Sequence, residues 1–138
     1  MIKIYTDASI NNEECVATCF STTDTMFICY TSFSYSNIKS SLHGELLGIR
    51  DGIAYTIKHS SVNEPISVFS DSVAAVKLIK SGSFSKRTIS LKPIVEDIYS
   101  LCQAHNITID VIQGHQLSHN PNKIVDLTSN SILRFNRR

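Results

Sequence analysis

The chain has 138 residues, 42% of them hydrophobic, and a formal net charge of +1. This length fits one domain, which we expect to span residues 1–138 and to bury a hydrophobic core. The near-neutral charge provides no overall attraction to nucleic acid and no overall repulsion from it. No apolar run approaches the ~20 residues that cross a bilayer, so helical membrane spans are excluded.

The N-terminal residues MIKIYTD lack the apolar region and the cleavage site of a signal peptide. We therefore expect a soluble, cytoplasmic protein. The four cysteines follow no zinc-ligand spacing, and thiols buried in the core are the expected role in a cytosolic protein of this size. These thiols are Cys15, Cys19, Cys29 and Cys102.

Three antiparallel strands are predicted in the N-terminal third. IKIYTD (residues 2–7) has the pattern of a short strand, and CVATCFST (15–22) and TMFICYTSF (25–33) are rich in β-branched and aromatic residues. Turns are expected at ASINNEE (8–14) and around STTDT (21–25).

From Ser40 onward the apolar residues follow a helical period up to residue 59, with Ser40 or Ser41 as the N-cap. ISVFS (66–70) predicts a buried strand, and the next helix is expected to begin with Ser70 or Asp71 as its cap and to end at Gly82. The remaining predictions are a helix over 89–104, a strand at 107–114 and a helix over 122–135.

The element order β-β-β-α-β-α-α-β-α predicts an α/β fold with a mixed five-stranded sheet and helices on both faces. Right-handed crossovers place the first, fourth and fifth strands side by side, which gives the strand order 3-2-1-4-5. In open sheets of this type, ligands bind at the carboxyl ends of the parallel strands.

Four acidic residues are expected to converge at that end of the sheet. Asp7 and Asp71 follow the first and fourth strands, while Glu45 and Asp126 lie about one turn into the first and last helices. Converging carboxylates repel one another, and Mg²⁺ or Mn²⁺ relieves this repulsion through hard oxygen ligands. Two such ions could support phosphodiester cleavage.

Each acid taken alone also has a simpler structural explanation. Asp71 could cap a helix, Glu45 could be an exposed helical residue, and Asp126 could interact with the helix dipole. Asp7 could begin a turn. The shared location of all four residues favours one joint site over four separate explanations.

Four stretches of the chain resemble the motifs of type 1 ribonuclease H: IYTDAS (4–9), HGELLGI (43–49), VFSDS (68–72) and QGHQLSHNPNKIVDLTS (113–129). They occur in the order and spacing of that family, and the resemblance covers essentially the whole chain. The DAS tripeptide and the small residues after Glu45 resemble its reverse-transcriptase-like branch. The resemblance implies the ribonuclease H-like fold and hydrolysis of the RNA strand of RNA·DNA hybrids with two Mg²⁺ or Mn²⁺ ions.

The resemblance also implies roles for individual residues. Asp7 would bridge both ions, Glu45 and Asp71 would complete the site at the leaving 3′-oxygen, and Asp126 would hold the ion that presents the attacking water. His115 matches a loop histidine that assists proton transfer or product release. Candidate substrate contacts are Ser9, Ser41, His43, Gly44, Ser72, Lys86, Arg87 and Asn122.

Residues 41–44 read SLHG, where many family members have asparagines that contact 2′-hydroxyl groups. Two alternatives therefore stay open beside hybrid cleavage. One is a nuclease of the same fold that acts on DNA or structured RNA, and the other is a nucleic-acid-binding module without turnover. A partner protein or polymerase is not identified by the sequence.

Overall fold

The computed structural model describes residues 1–60 and 63–112. Within these residues the chain forms five strands, three α-helices and one 3₁₀ turn. In chain order they are β1 (Ile2–Asn11), β2 (Glu14–Thr22), β3 (Phe27–Tyr35), α1 (Ser41–His59), β4 (Ile66–Ser70), α2 (Val73–Ser81), the 3₁₀ turn (Ile89–Leu91), α3 (Lys92–Ala104) and β5 (Ile107–Val111).

The strands form one mixed sheet in the order β3-β2-β1-β4-β5. β1 pairs with β2 and β2 with β3 in antiparallel orientation, whereas β1 pairs with β4 and β4 with β5 in parallel orientation. The predicted strand order is therefore confirmed. It places the ends of β1 and β4 next to each other at the centre of the sheet.

The first hairpin differs from the prediction because its turn is much tighter. Asn12 and Glu13 have φ angles of 51° and 65°, which make a two-residue turn between β1 and β2. The Glu13 carbonyl accepts the backbone N–H of Ile38 at 2.8 Å, and the Glu13 carboxylate contacts Lys39 Nζ at 2.7 Å. The expected turn over 8–14 is thus reduced to two residues, and β1 extends to Asn11.

One hydrophobic core joins the three helices to one face of the sheet. Its fully buried side chains include Ile4 of β1, Val68 of β4, Ile53 of α1 and Ile98 of α3. Within residues 1–60 and 63–112, no helix combines the length and apolar character that crossing a membrane requires. The helix predicted for 122–135, on which the expectation of helices on both faces depends, lies outside the described residues.

Helix boundaries agree with the prediction at α1 and differ at α2 and α3. Ser40 caps α1, because its side chain accepts the backbone N–H of His43 at 3.1 Å. Ser72 caps α2 in place of Ser70 or Asp71, while Gly82 ends the helix as expected with a φ of 62°. The third helix is preceded by the 3₁₀ turn and begins at Lys92, with Pro93 in its first turn.

Candidate active site

Asp7 lies where the sheet divides. The parallel pairing of β1 with β4 ends at Thr6 and Ser70, but β1 continues beside β2 and pairs Asp7 with Thr18. Asp7 is therefore the first residue of β1 that has lost its neighbour on the β4 side. Its side chain is only 3% exposed. The strand does not stop before the aspartate, as its polar character would suggest; instead, the adjacent strand stops.

Glu45 reaches the same point from the helix above. It lies in the second turn of α1 and is 8% exposed, so it is not an exposed helical residue. The backbone N–H of Ala8 is donated to Asp7 Oδ1 at 2.9 Å and to Glu45 Oε1 at 3.2 Å. A single backbone donor therefore aligns carboxylates from a strand and a helix.

Close contact between α1 and the sheet brings Glu45 into this position. A Cβ atom at Gly44 would lie 2.6 Å from Cys15 Sγ and 3.8 Å from Ala8 Cβ, so only glycine fits there without displacement. Gly48 and Gly52 follow at intervals of four residues and also face β2. The glycine side of α1 thus determines how near the helix, and with it Glu45, approaches β1.

Asp71 completes the cluster from the end of β4. It occupies the bend between β4 and α2, and its side chain is exposed. The hydroxyl of Ser72 accepts the N–H of Ala75 at 3.2 Å, so Ser72 and not Asp71 performs the capping function. Carboxylate oxygens of Asp7, Glu45 and Asp71 all lie within 4.8 Å of one another.

The negative charge of this cluster affects the neighbouring thiol. Burial, followed by the charges of Glu45 and Asp7, raises the pKa of Cys15 to about 11. Sequence reasoning did not identify Cys15 or the backbone of Ala8 as parts of the site. Their roles depend on the short hairpin turn and on the close approach of Gly44, which residue type alone did not indicate.

The donor set fits a hard divalent cation. All three side chains offer carboxylate oxygens, which Mg²⁺ and Mn²⁺ prefer, and two of the three are almost completely buried. Like charges held this close repel one another, and a divalent cation offsets that repulsion. The arrangement could therefore hold a divalent cation, with Asp71 on its exposed side.

The remaining candidate residues fall into three groups. Asp126, His115 and Asn122 lie outside the described residues, and their roles stay predictions. Five candidates lie on the elements that carry the acidic cluster. Ser9 is in β1 with Asp7, three residues begin α1 before Glu45, and one follows Asp71 as the cap of α2; these four are Ser41, His43, Gly44 and Ser72. Gly44 is buried against Cys15, and its N–H is donated to the Ser40 carbonyl at 3.3 Å.

Lys86 and Arg87 are separate from this group. Both are exposed in the link that follows Gly82. This link lies at the opposite end of α2 from Asp71, and nine helical residues span about 13 Å at 1.5 Å per residue. These two residues are therefore not part of the acidic cluster, although an extended substrate could reach them.

Burial and then the positive charge of Arg50 lower the pKa of His43 below its ordinary value of 6.5. The neutral form of the imidazole is consequently favoured at pH 7. It can exchange hydrogen bonds with a sugar or phosphate but does not add a positive charge.

Structures of ribonucleases H are similar to this fold. LC11-RNase H1, isolated from compost and crystallised in complex with an RNA/DNA hybrid, has a TM-score of 0.75 at 14% identity, over 96% of this chain and 99% of that chain. RNase H1 from the halophilic archaeon Halobacterium salinarum NRC-1 has a TM-score of 0.79 at 10% identity, over 96% and 97%. The protease-reverse transcriptase of prototype foamy virus has a TM-score of 0.72 at 15% identity, over 94% of this chain but 20% of that one.

At these levels of identity the structural likeness establishes the fold alone. No curated protein sequence matches the chain. The family model for RNase H, in contrast, matches residues 1–133 and so includes all the motifs described above. The chain therefore belongs to the RNase H family, and its enzyme class is ribonuclease H, an endonuclease.

Proposed function

We propose that the protein hydrolyses the RNA strand of RNA·DNA hybrids, using two divalent cations held by Asp7, Glu45, Asp71 and Asp126. The observation that carries this proposal is the convergence of three carboxylates within 4.8 Å in a chain of the RNase H family. The hybrid is the substrate class to test first, because the similar LC11-RNase H1 was crystallised with an RNA/DNA hybrid.

The burial of Asp7 and Glu45 argues against a binding module that has lost turnover. Burying a carboxylate costs several kcal/mol unless a partner or a cation compensates for the charge. Asp7 and Glu45 are 3% and 8% exposed and converge on one backbone N–H. Three carboxylates held within 4.8 Å of one another suit a divalent cation and would only repel the anionic backbone of a nucleic acid that was bound without one.

The chain's own residues prepare the reaction by orientation. Ala8 donates its N–H to Asp7 and Glu45 and thereby fixes the direction of one oxygen of each. Asp71 adds an exposed carboxylate at the entrance, where the scissile phosphate would arrive. When bound, Mg²⁺ or Mn²⁺ supplies the Lewis acidity that activates water and stabilises charge on the leaving 3′-oxygen.

Two residues beside the cluster have hydrogen-bonding capacity for the substrate. The Ser72 oxygen accepts the N–H of Ala75, which leaves the hydroxyl proton to be donated to a phosphate or a ribose oxygen. His43, whose neutral form is favoured at pH 7, can either donate to or accept from a 2′-hydroxyl. In this arrangement, hydrogen bonds select the RNA strand, and the divalent cations attract the phosphate backbone of the nucleic acid.

The decisive experiment compares cleavage of three labelled duplexes of the same sequence: RNA·DNA hybrid, double-stranded RNA and double-stranded DNA. Each is incubated with Mg²⁺, with Mn²⁺ and with EDTA. We expect cuts in the RNA strand of the hybrid with either metal and none in EDTA. Preferential cleavage of the RNA or DNA duplex would instead support the other nuclease function.

Asp71→Asn is the variant that separates the metal assignment from the fold. It removes one charge from an exposed bend, and Ser72 still caps α2, so folding should be retained. Asp24→Asn is the matched control, because Asp24 is exposed in the β2–β3 turn, away from the cluster. Hybrid cleavage at the wild-type rate by Asp71→Asn would contradict the proposed site.

A further inference from the structure

A second cluster of reactive side chains lies between the β2–β3 hairpin and α1. The sulfur atoms of Cys19 and Cys29 are each 3.9 Å from the hydroxyl oxygen of Thr56 in α1. The Ser21 hydroxyl also contacts both Thr56 and, at 3.5 Å, Cys19 Sγ. Neither thiol takes part in the acidic site, and both are reduced.

Strand register directs the two thiols toward each other. Cys29 pairs with Ser21 and Cys19 pairs with Thr31, so the two cysteines are diagonal neighbours on adjacent antiparallel strands. Cys19 and Ser21 are two residues apart and face the same side of the sheet, the side that α1 covers. Diagonal neighbours on one face lie about 7–8 Å apart at their Cα atoms, and a hydrogen bond between the Cys19 and Cys29 side chains bridges that separation.

The two thiols differ in exposure and acidity. Cys29 lies on the edge strand β3 and is 8% exposed, whereas Cys19 is 0% exposed. A hydrogen bond from Cys19 lowers the pKa of Cys29 to about 6 even though burial opposes this, and the same hydrogen bond together with burial raises the pKa of Cys19. These opposite shifts make Cys29 the more acidic thiol of the pair and therefore the better nucleophile.

We propose that Cys19 and Cys29 form an oxidant-sensitive dithiol site, which hydrogen peroxide converts to a disulfide between β2 and β3. The Cys29 sulfur attacks one peroxide oxygen, the O–O bond breaks, and hydroxide leaves as water, so Cys29 becomes a sulfenic acid. The Cys19 sulfur then attacks the Cys29 sulfur, the S–O bond breaks, and the Cys19 proton leaves with the hydroxyl as water. Two thiols are oxidised and one peroxide is reduced to two waters.

Asp24 lies between the two cysteines and makes the bond directly measurable. The reduced, folded chain is exposed to hydrogen peroxide, its remaining thiols are alkylated, and it is cleaved before aspartate. This yields peptides 7–23, with Cys15 and Cys19, and 24–50, with Cys29 as its one cysteine. We expect these peptides to be joined, two hydrogen atoms lighter than their sum, and separated by a thiol reductant.

Variants identify the bond without relying on activity. Cys15→Ser and Cys102→Ser should keep the joined peptides, whereas Cys19→Ser should abolish them and leave a sulfenic acid on Cys29 that dimedone traps. The wild-type chain unfolded in urea provides a control for geometry, because there Cys15 should compete with Cys19 for Cys29. Oxidation of half-buried Cys102 before Cys29, loss of the joined peptides in Cys15→Ser, or no joined peptides in the folded wild type would overturn the proposal.

Discussion

Asp7 and Glu45 share one hydrogen-bond donor, the backbone N–H of Ala8, at 2.9 Å and 3.2 Å. One carboxylate belongs to β1 and the other to α1, and 37 positions separate Ala8 from Glu45 along the chain. The helix therefore contributes to the same point as the strand that it covers. Removing the charge of either residue is expected to weaken cation binding but to stabilise the metal-free protein, because repulsion between the carboxylates falls.

Replacing Asp7 with Asn should slow cleavage by about a hundredfold or more while preserving the fold. The amide oxygen can still accept the Ala8 N–H, but a charge that balances the cations is lost. A loss of about 3 kcal/mol in transition-state stabilisation corresponds to about a hundredfold in rate. Hybrid cleavage in Mg²⁺ measures this effect. The metal-free variant should also melt at or above the wild-type temperature, because repulsion between carboxylates falls.

Asp24→Asn controls for the loss of one negative charge and should change neither rate nor melting temperature. A melting temperature of Asp7→Asn well below that of the wild type, in EDTA, would show that the Asp7 charge stabilises the fold and is not simply tolerated by it. Differential scanning fluorimetry with and without Mg²⁺ distinguishes these outcomes. The wild-type protein and Asp24→Asn should gain the full stabilisation from the metal, and Asp7→Asn should gain less.

Gly44→Ala should destabilise the protein and slow cleavage. In an unobstructed helix, alanine is favoured over glycine by about 1 kcal/mol. At this position, however, the new Cβ would lie 2.6 Å from Cys15 Sγ, and overpacking typically costs about 1–3 kcal/mol. We expect the clash to dominate and to displace Glu45 from Ala8. Urea unfolding and hybrid cleavage measure the two effects.

The double variant Gly44→Ala/Cys15→Ala tests the cause of that loss. Removing the sulfur gives the added methyl group its space, so the double variant should be more stable than Gly44→Ala alone. A double-mutant cycle should yield a coupling of about 1 kcal/mol between the two positions. Additive effects would indicate that the helix and sheet do not meet closely at this point.

The strand order and the positions of the described acids could be predicted because they depend on strong local patterns. The helical period after Ser40 and the apolar run at 66–70 each allow one interpretation. Asp7 and Asp71 then follow from the rule that parallel strands present their carboxyl ends at one edge. Placing Glu45 in the same cluster required the close packing of Gly44, which residue type indicates only weakly.

The errors of prediction occur where several residues could perform the same task. Ser70, Asp71 and Ser72 are all good N-caps, and the end of β4 pairing at Ser70 decides in favour of Ser72. Asp71 is thereby directed to the cluster. The predicted turn between β1 and β2 is longer than the observed one, because a glutamate rarely adopts the positive φ that a two-residue turn requires at position 13. The contacts of Glu13 with Ile38 and Lys39 stabilise this conformation.

His43 should titrate below 6.5, because burial and the charge of Arg50 both disfavour its protonated form. The unfolded state then binds more protons than the folded state between the lowered pKa and 6.5. Stability that is fully present above pH 6.5 is therefore lost as the pH falls through this window. Urea unfolding of wild type and His43→Gln at pH 7.5 and 5.5 should show the larger decrease for the wild type. An imidazole NMR resonance titrating above 6.5 would contradict this account.

Lys86 and Arg87 should contribute to hybrid affinity through charge, because both are exposed and lie beyond the end of α2. Each phosphate contact contributes about 0.9 to the slope of log affinity against log salt, so Lys86→Gln/Arg87→Gln should reduce that slope by about 2. Fluorescence anisotropy in EDTA measures binding to intact hybrid. Lys58→Gln, an exposed residue in the last turn of α1, is the matched control and should leave the slope unchanged. An unaltered slope in the double variant would place the substrate's phosphates on another surface. The loss of neutral contacts would lower the affinity by the same factor at every salt concentration and would leave the slope unchanged.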